Sequence, residues 1–190
     1  MAASPTEARA PRQATYQDVL DSAAHLVAEI INGALHTHPR PAPAHAIASS
    51  ALGSDLGPPF QFGRGGPGGW WILDSPELHL SDDVLVPDLA GWRRGRMPEP
   101  PDTPYFTLAP NWACEVLSPS TRRVDLQEKR PIYAREDVSH LWFIDPTDRT
   151  LEAFELRDCE WVLITTAKDD EPVSARPFDA ITFSLGDLWA

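Results

Sequence analysis

Residues 112–135 read WACEVLSPSTRRVDLQEKRPIYAR: a short apolar run, a break at Ser118-Pro119-Ser120, and a charged, helix-like stretch from Arg122 to Arg135. The run 112–117 has the length and apolar content of a core strand, yet it carries a carboxylate, Glu115. Alternate side chains of a strand point to opposite faces, so Ala113, Glu115 and Leu117 share one face while Cys114 and Val116 share the other. A second run of the same kind, 84–90, carries Asp88 directly after Pro87. A carboxylate inside an apolar strand is costly unless it is paired, hydrogen-bonded or bound to metal, so both residues need a compensating partner. Asp125 and Lys129 are four apart on the helix-like stretch and share a face. If exposed, such a pair is worth only a few tenths of a kcal/mol.

Working outward, residues 141–144, 151–156 and 161–166 read as further strands, the last two joined as a hairpin through Arg157-Asp158-Cys159-Glu160. Upstream, Val19, Leu20, Ala23, Ala24 and Val27 fall at helical spacing and predict an amphipathic helix over 16–27. Asn32-Gly33 between short apolar runs predicts a type I′ hairpin over 29–35. A second helix is expected over 44–56, stopped by Gly57-Pro58-Pro59. The glycine stretch 63–69 leads into a strand at 70–73; a phosphate cradle needs a helix there, so a mobile loop is expected instead. Pro131, two residues after Lys129, is expected to kink or restart its helix. Helices on a mixed sheet make a single α/β or α+β domain over 15–190, behind a polar, disordered tail at 1–14.

Composition narrows the function classes. No run of about 18 apolar residues is available to span a membrane, and the N-terminus has no apolar core of a secretory leader. A cytoplasmic protein is expected. Two cysteines, Cys114 and Cys159, exclude a disulfide framework and a four-cysteine zinc site. The net charge of -12 opposes phosphate-driven wrapping of nucleic acid, but it is unevenly spread. Residues 88–135 hold eight basic against six acidic residues, whereas residues 1–87 hold four against nine and residues 136–190 four against thirteen. Arg93, Arg94 and Arg96 after the Asp88 strand, and Arg122 and Arg123 ahead of Lys129, are candidates to meet phosphates; ordinary solvated arginines are the equal alternative.

Two carboxylates on neighbouring strands with a lysine nearby can hold a hard divalent cation such as Mg²⁺ that polarises a phosphate oxygen, with Lys129 orienting or deprotonating water or offsetting charge. A structural ion-pair network explains the same residues and remains open. His36, His38 and His45 match no familiar ligand spacing and read as surface or capping residues, His45 alone being close enough to a helix start to approach a substrate. Ser118 and Ser120 lack a partnered histidine and suit helix capping. The tryptophans are expected in the core or on a dimer face.

At Val86-Pro87-Asp88, Glu115 through Thr121, Asp125, Lys129, Tyr133 and Trp142-Phe143-Ile144-Asp145-Pro146, together with the Glu29-Ile30-Ile31-Asn32-Gly33 hairpin, the sequence resembles a known family. This is the large group of bacterial restriction-endonuclease-like proteins within the PD-(D/E)XK nuclease superfamily. The resemblance spans residues 16–156. It implies a restriction-endonuclease-like fold, a central mixed β-sheet flanked by helices, with Asp88 and Glu115 as metal ligands, the Val116 main-chain carbonyl as a third and Glu29 as an auxiliary one, although Glu29 reads equally as a hairpin surface carboxylate. Leu117 stands where the superfamily pattern has lysine, so the lysine role passes to Lys129. The implied activity is that of an Mg²⁺- or Mn²⁺-dependent endonuclease hydrolysing nucleic-acid phosphodiester bonds, DNA before RNA, as a homodimer. Two other classes stand beside it: a non-catalytic dimeric scaffold that retains the fold, and a hydrolase of small phosphodiesters. The presence of Asp88, Glu115 and Lys129 together favours catalysis.

Overall fold

A computed structural model describes residues 12–190; residues 1–11 of the expected tail lie outside the described residues. The elements are α1 (Tyr16–Leu20), β1 (Leu26–Ile31), β2 (Ala34–Pro39), α2 (Pro43–Leu56), β3 (Trp70–Asp74), β4 (Leu78–Leu80), β5 (Asp83–Leu85) and β6 (Leu89–Arg93). They continue with β7 (Trp112–Val116), α3 (Arg122–Val124), α4 (Arg130–Arg135), β8 (His140–Asp145), β9 (Thr150–Arg157), β10 (Glu160–Lys168), β11 (Pro172–Val173) and β12 (Phe183–Ser184).

Six strands form the central sheet in the order β10-β9-β8-β7-β6-β3, antiparallel except for the pair β7 and β8. A parallel pair needs a crossover of a dozen or more residues, and the helical stretch α3 to α4 supplies it. A smaller sheet, β2-β1-β5-β4, lies on the same side as that crossover. The alternation expected along β7 holds: Trp112, Cys114 and Val116 pack with α2 and the C-terminal segment, while Ala113 and Leu117 pack with Ile132, Tyr133 and the small sheet. This is the restriction-endonuclease-like arrangement, a central mixed sheet covered on both faces. Trp70, Trp92, Trp112 and Trp142 are buried in the core, whereas Trp71, Trp161 and Trp189 are half-buried. No helix of the described residues is long and apolar enough to cross a membrane.

Local chemistry explains most of the elements. Asn32 and Gly33 both take positive φ, 52° and 77°, the conformation of a type I′ turn that only such residues accept cheaply. Asp158 and Cys159 repeat it between β9 and β10 at 50° and 64°. Gly66 is required by contact, since a Cβ there would lie 2.4 Å from Pro59 Cβ. The glycine stretch runs into β3 with no helix behind it, as expected.

Three elements differ from the sequence expectation. The helix over 16–27 is only α1, and Val27 belongs to β1, because the Asn32-Gly33 turn pairs residues 26–31 with 34–39 along their whole length. Gly57-Pro58-Pro59 does not stop α2; the helix widens into a π turn, Gly57–Gln61, closed by the Phe62 N–H on the Gly57 carbonyl. The run 84–90 is not one strand: β5 belongs to the small sheet and β6 to the large one. Pro87, which cannot donate to a ladder, lies at the crossing between them.

Candidate active site

The crossing between the sheets aims Asp88 at β7. Leu89 pairs with Cys114, so Asp88 lies beside Glu115, and its Oδ2 accepts the Val116 N–H at 2.7 Å. The expected neighbourhood of the two carboxylates is therefore built by the strand register. From the other side, a π turn, Asp125–Lys129, joins α3 to α4. Pro131 follows it within the first turn of α4, where its missing N–H is tolerated. The helix neither breaks nor stops, and Asp125, Lys129 and Tyr133 face the sheet together.

Asp125 and Lys129 are not an exposed pair: both are 2% exposed. Lys129 Nζ lies 2.9 Å from Glu29 Oε1, 3.3 Å from Asp125 Oδ1 and 3.3 Å from both Glu115 oxygens. Tyr133 donates its hydroxyl to Glu115 Oε1 at 2.5 Å. Glu29 is equally buried, at 1% exposure, rather than a hairpin surface residue. Its Oε1 also accepts the Val86 N–H at 2.7 Å, and its Oε2 lies 3.5 Å from His38 Nε2. His45 Nε2 lies 3.3 Å from Asp88 Oδ1, while His36 faces Glu128 at 3.6 Å. His38 and His45 are thus site residues, not surface ones.

Electrostatics follow from this packing. Burial disfavours the Lys129 ammonium, but Glu115, Glu29 and Asp125 outweigh it and hold its pKa well above the usual lysine value. Burial drives Glu115 well above the carboxylate range; Lys129 opposes the shift, and Asp125, Asp88 and Glu29 add to it. Asp125 is raised by the same desolvation. Burial also opposes ionisation of Glu29, yet Lys129, His38 and the Val86 N–H more than offset it and its pKa falls. Tyr133 is raised by burial and by Glu115. A fully ionised network would place three carboxylates, Glu29, Glu115 and Asp125, around one ammonium, with Asp88 beside Glu115.

A cavity of about 640 Å³ opens over this cluster. Asp88, Glu115, Asp125 and Lys129 line it, with His38, His45, Arg40 and the Ser118–Thr121 loop around them and an apolar wall from α1 to the start of β1. Ser118 accepts the Thr121 N–H through its hydroxyl in the turn ahead of α3, but the N-cap of that helix is Thr121 and no side chain caps it, so the capping role expected of Ser118 and Ser120 is not seen. The candidate phosphate-binding arginines are placed elsewhere. Arg93 ends β6, five residues from Asp88 and so roughly 16 Å along the strand. Arg93 lies over the Trp70 ring, and Arg94 donates to the Trp70 and Gln61 carbonyls over Trp71. Arg96 donates to the Ala109 carbonyl. Arg122 pairs with Asp145, and Arg123 reaches Glu128 at 3.4 Å. Arg40, which sequence reasoning passed over, is the arginine on the cavity wall.

The donor set suits a hard cation: the excess of buried carboxylates over cations is the imbalance a divalent ion offsets. No three His, Cys, Asp or Glu side chains among the described residues converge as a ready metal cluster. The carboxylates that line the cavity are Asp88, Glu115 and Asp125, with Glu77 at its edge. Tyr133 is the functional residue sequence reasoning left without a role; its signal was the spacing of four from Lys129 on a shared face.

A crystal structure described as "a putative nuclease belonging to DUF820", from Anabaena variabilis, superposes with a TM-score of 0.65. It is 21% identical, over 86% of this chain and 89% of that one. No curated protein matches this chain. Residues 15–186 match the family described as "Uma2: Putative restriction endonuclease", and with nearly the whole fold inside the match, the chain belongs to that family.

Proposed function

We propose that the cavity is the active centre of a metal-dependent endonuclease that hydrolyses nucleic-acid phosphodiester bonds, DNA before RNA, and that the chain acts as a homodimer. The observation that carries this reading is the charge imbalance at the cavity floor, where several buried carboxylates share the single Lys129 ammonium. The family and fold to which the chain belongs support it. Asp88, Glu115 and the Val116 carbonyl would hold Mg²⁺ or Mn²⁺, with Glu29 as an auxiliary carboxylate. When bound, such an ion polarises a phosphate oxygen and lowers the pKa of a water. Lys129 stays an ammonium among its three carboxylates, so its part is to offset negative charge on the phosphoryl group rather than to take a proton from water. Tyr133 fixes Glu115 through its hydroxyl. Arg40 stands on the wall where a flanking phosphate would pass.

A second reading, hydrolysis of a small phosphodiester, is favoured by the cavity volume of about 640 Å³, which is the size of a small-molecule pocket. Incubation of the protein with labelled DNA, RNA and a small chromogenic phosphodiester, in Mg²⁺ or Mn²⁺ and with chelator, separates the two. Cleavage of DNA that needs the ion and falls roughly 100-fold or more in Asp88→Ala and Glu115→Gln is the expected outcome. Equal cleavage by the wild type and both variants would overturn the site.

A further inference from the structure

We propose that the cavity takes single-stranded DNA, with the base next to the reacting phosphate laid against the apolar wall of Val19, Leu20 and Ala23, and that a paired duplex is turned away. The inference deepens the reading of the cavity as the active centre of an endonuclease and rests on it. The wall does not belong to the core, since α1 buries none of its residues and Leu20 is 59% exposed. Val19, Leu20 and Ala23 nevertheless line the same cavity as Asp88, Glu115 and Lys129. Tyr16, at the start of α1, donates its hydroxyl to Glu77 Oε1 at 2.7 Å, and Glu77 itself lines the cavity. A polar bond therefore holds this apolar surface beside the carboxylates.

The rest of the lining matches one nucleotide. Glu115, Asp125 and Lys129 are each 2% exposed, so a phosphodiester reaches them only by entering the cavity. A volume of about 640 Å³ is that of a small-molecule pocket, not of a groove that follows a double helix. Enzymes whose chemistry lies inside such a pocket act on single strands or must first unpair a base, and the freed base then packs on apolar side chains. Arg40 completes the set: it lines the same cavity and donates to the Ala24 carbonyl at 3.3 Å, which holds its charge next to the wall. Duplex binding draws instead on many lysines and arginines along both backbones. Among the described residues, Arg40 and Lys129 are the lysines and arginines of this cavity, and Lys129 is already surrounded by carboxylates. One arginine beside an apolar wall suits one flexible strand.

Single-stranded DNA, a fully paired duplex of the same sequence and a duplex with a short central bubble, each incubated with the full chain in Mn²⁺, test this. The single strand and the bubble should be cut about tenfold or more faster than the paired duplex, with the cuts inside the bubble. Leu20→Asp, checked for folding by circular dichroism, should raise KM for the single strand about tenfold and change kcat less, because the lost contact is with the base and not with the reacting phosphate. Equal cleavage of single strand and duplex, or an unchanged KM in Leu20→Asp, would overturn the inference. Asp88→Ala separates this failure from that of the active centre. Cleavage lost in Asp88→Ala but equal on single strand and duplex sinks only the wall, whereas cleavage unaffected in Asp88→Ala sinks the active centre and the inference with it. Where nothing is cut, the anisotropy of a fluorescein-labelled strand with the wild type in Mn²⁺ still decides. A single strand held about tenfold more tightly than duplex, and weakened by Leu20→Asp, keeps the wall while the active centre fails; equal affinities sink both.

Discussion

Lys129 is the residue on which the site turns. Its ammonium, almost fully buried, touches Glu29, Glu115 and Asp125, so removing it leaves buried carboxylates facing one another. Breaking a buried ion pair from one side costs about 3–5 kcal/mol, and Lys129→Met should lower the melting temperature by roughly 6–20 °C for a domain of this size. Glu115→Gln behaves differently. Burial and three neighbouring carboxylates already favour the neutral form of Glu115, so an uncharged isostere should leave the melting temperature unchanged or raised while cleavage is lost. A fall as large as that of Lys129→Met would contradict the charge arrangement described here. For this reason Asp88→Ala and Glu115→Gln are cleaner probes of function than any change at Lys129. The pairing of Asp88 with Glu115 was legible in the sequence because each is a lone carboxylate in an apolar run. The burial of Glu29 was not, because it depends on β5 pairing with β1 across more than fifty residues.

At the scale of elements, prolines and turns decide what local pattern can predict. The Asn32-Gly33 hairpin and the parity of β7 were readable, since turn chemistry and period-two alternation are local properties. The prolines at 58 and 59 read as a helix stop and Pro131 as a kink or restart, yet in each case a π turn lies over or beside them and the helical path continues. Sequence pattern misses this because the wider turn is stabilised by what the helix packs against. α1 is short and depends on its start: Asp18 accepts the Thr15 N–H and hydroxyl at 2.7 and 2.8 Å, and Arg12 at 2.6 Å. The Arg12 contact and the Thr15 bonds hold the Asp18 carboxyl well below its ordinary value of 3.8. A depressed pKa adds stability that is present above 3.8 and is lost as pH falls through the folded value. Asp18→Asn should therefore melt below the wild type at pH 7, and the gap should close in acid below pH 3.8. A gap that is constant with pH would remove the cap from the account.

For the whole molecule, the net charge of -12 and the position of the cavity belong together. The slightly basic middle of the chain does not form a basic groove: Arg93, Arg94 and Arg96 are spent on carbonyls and tryptophan rings at the far end of β6. What the fold brings together instead is acid, Asp88 from the crossing between two sheets, Glu115 from the centre of the larger one, Glu29 from the smaller one and Asp125 from the crossover helix. An acidic protein can approach a phosphodiester at such a place only with a cation between them. On this reading the carboxylates beside Lys129 would hold a divalent ion. Anomalous diffraction from crystals soaked in Mn²⁺ measures this most directly. The account predicts a peak bounded by the Asp88 and Glu115 carboxylates and the Val116 carbonyl, absent from Asp88→Ala; a wild-type map with no peak there, or with one elsewhere in the cavity, would contradict it.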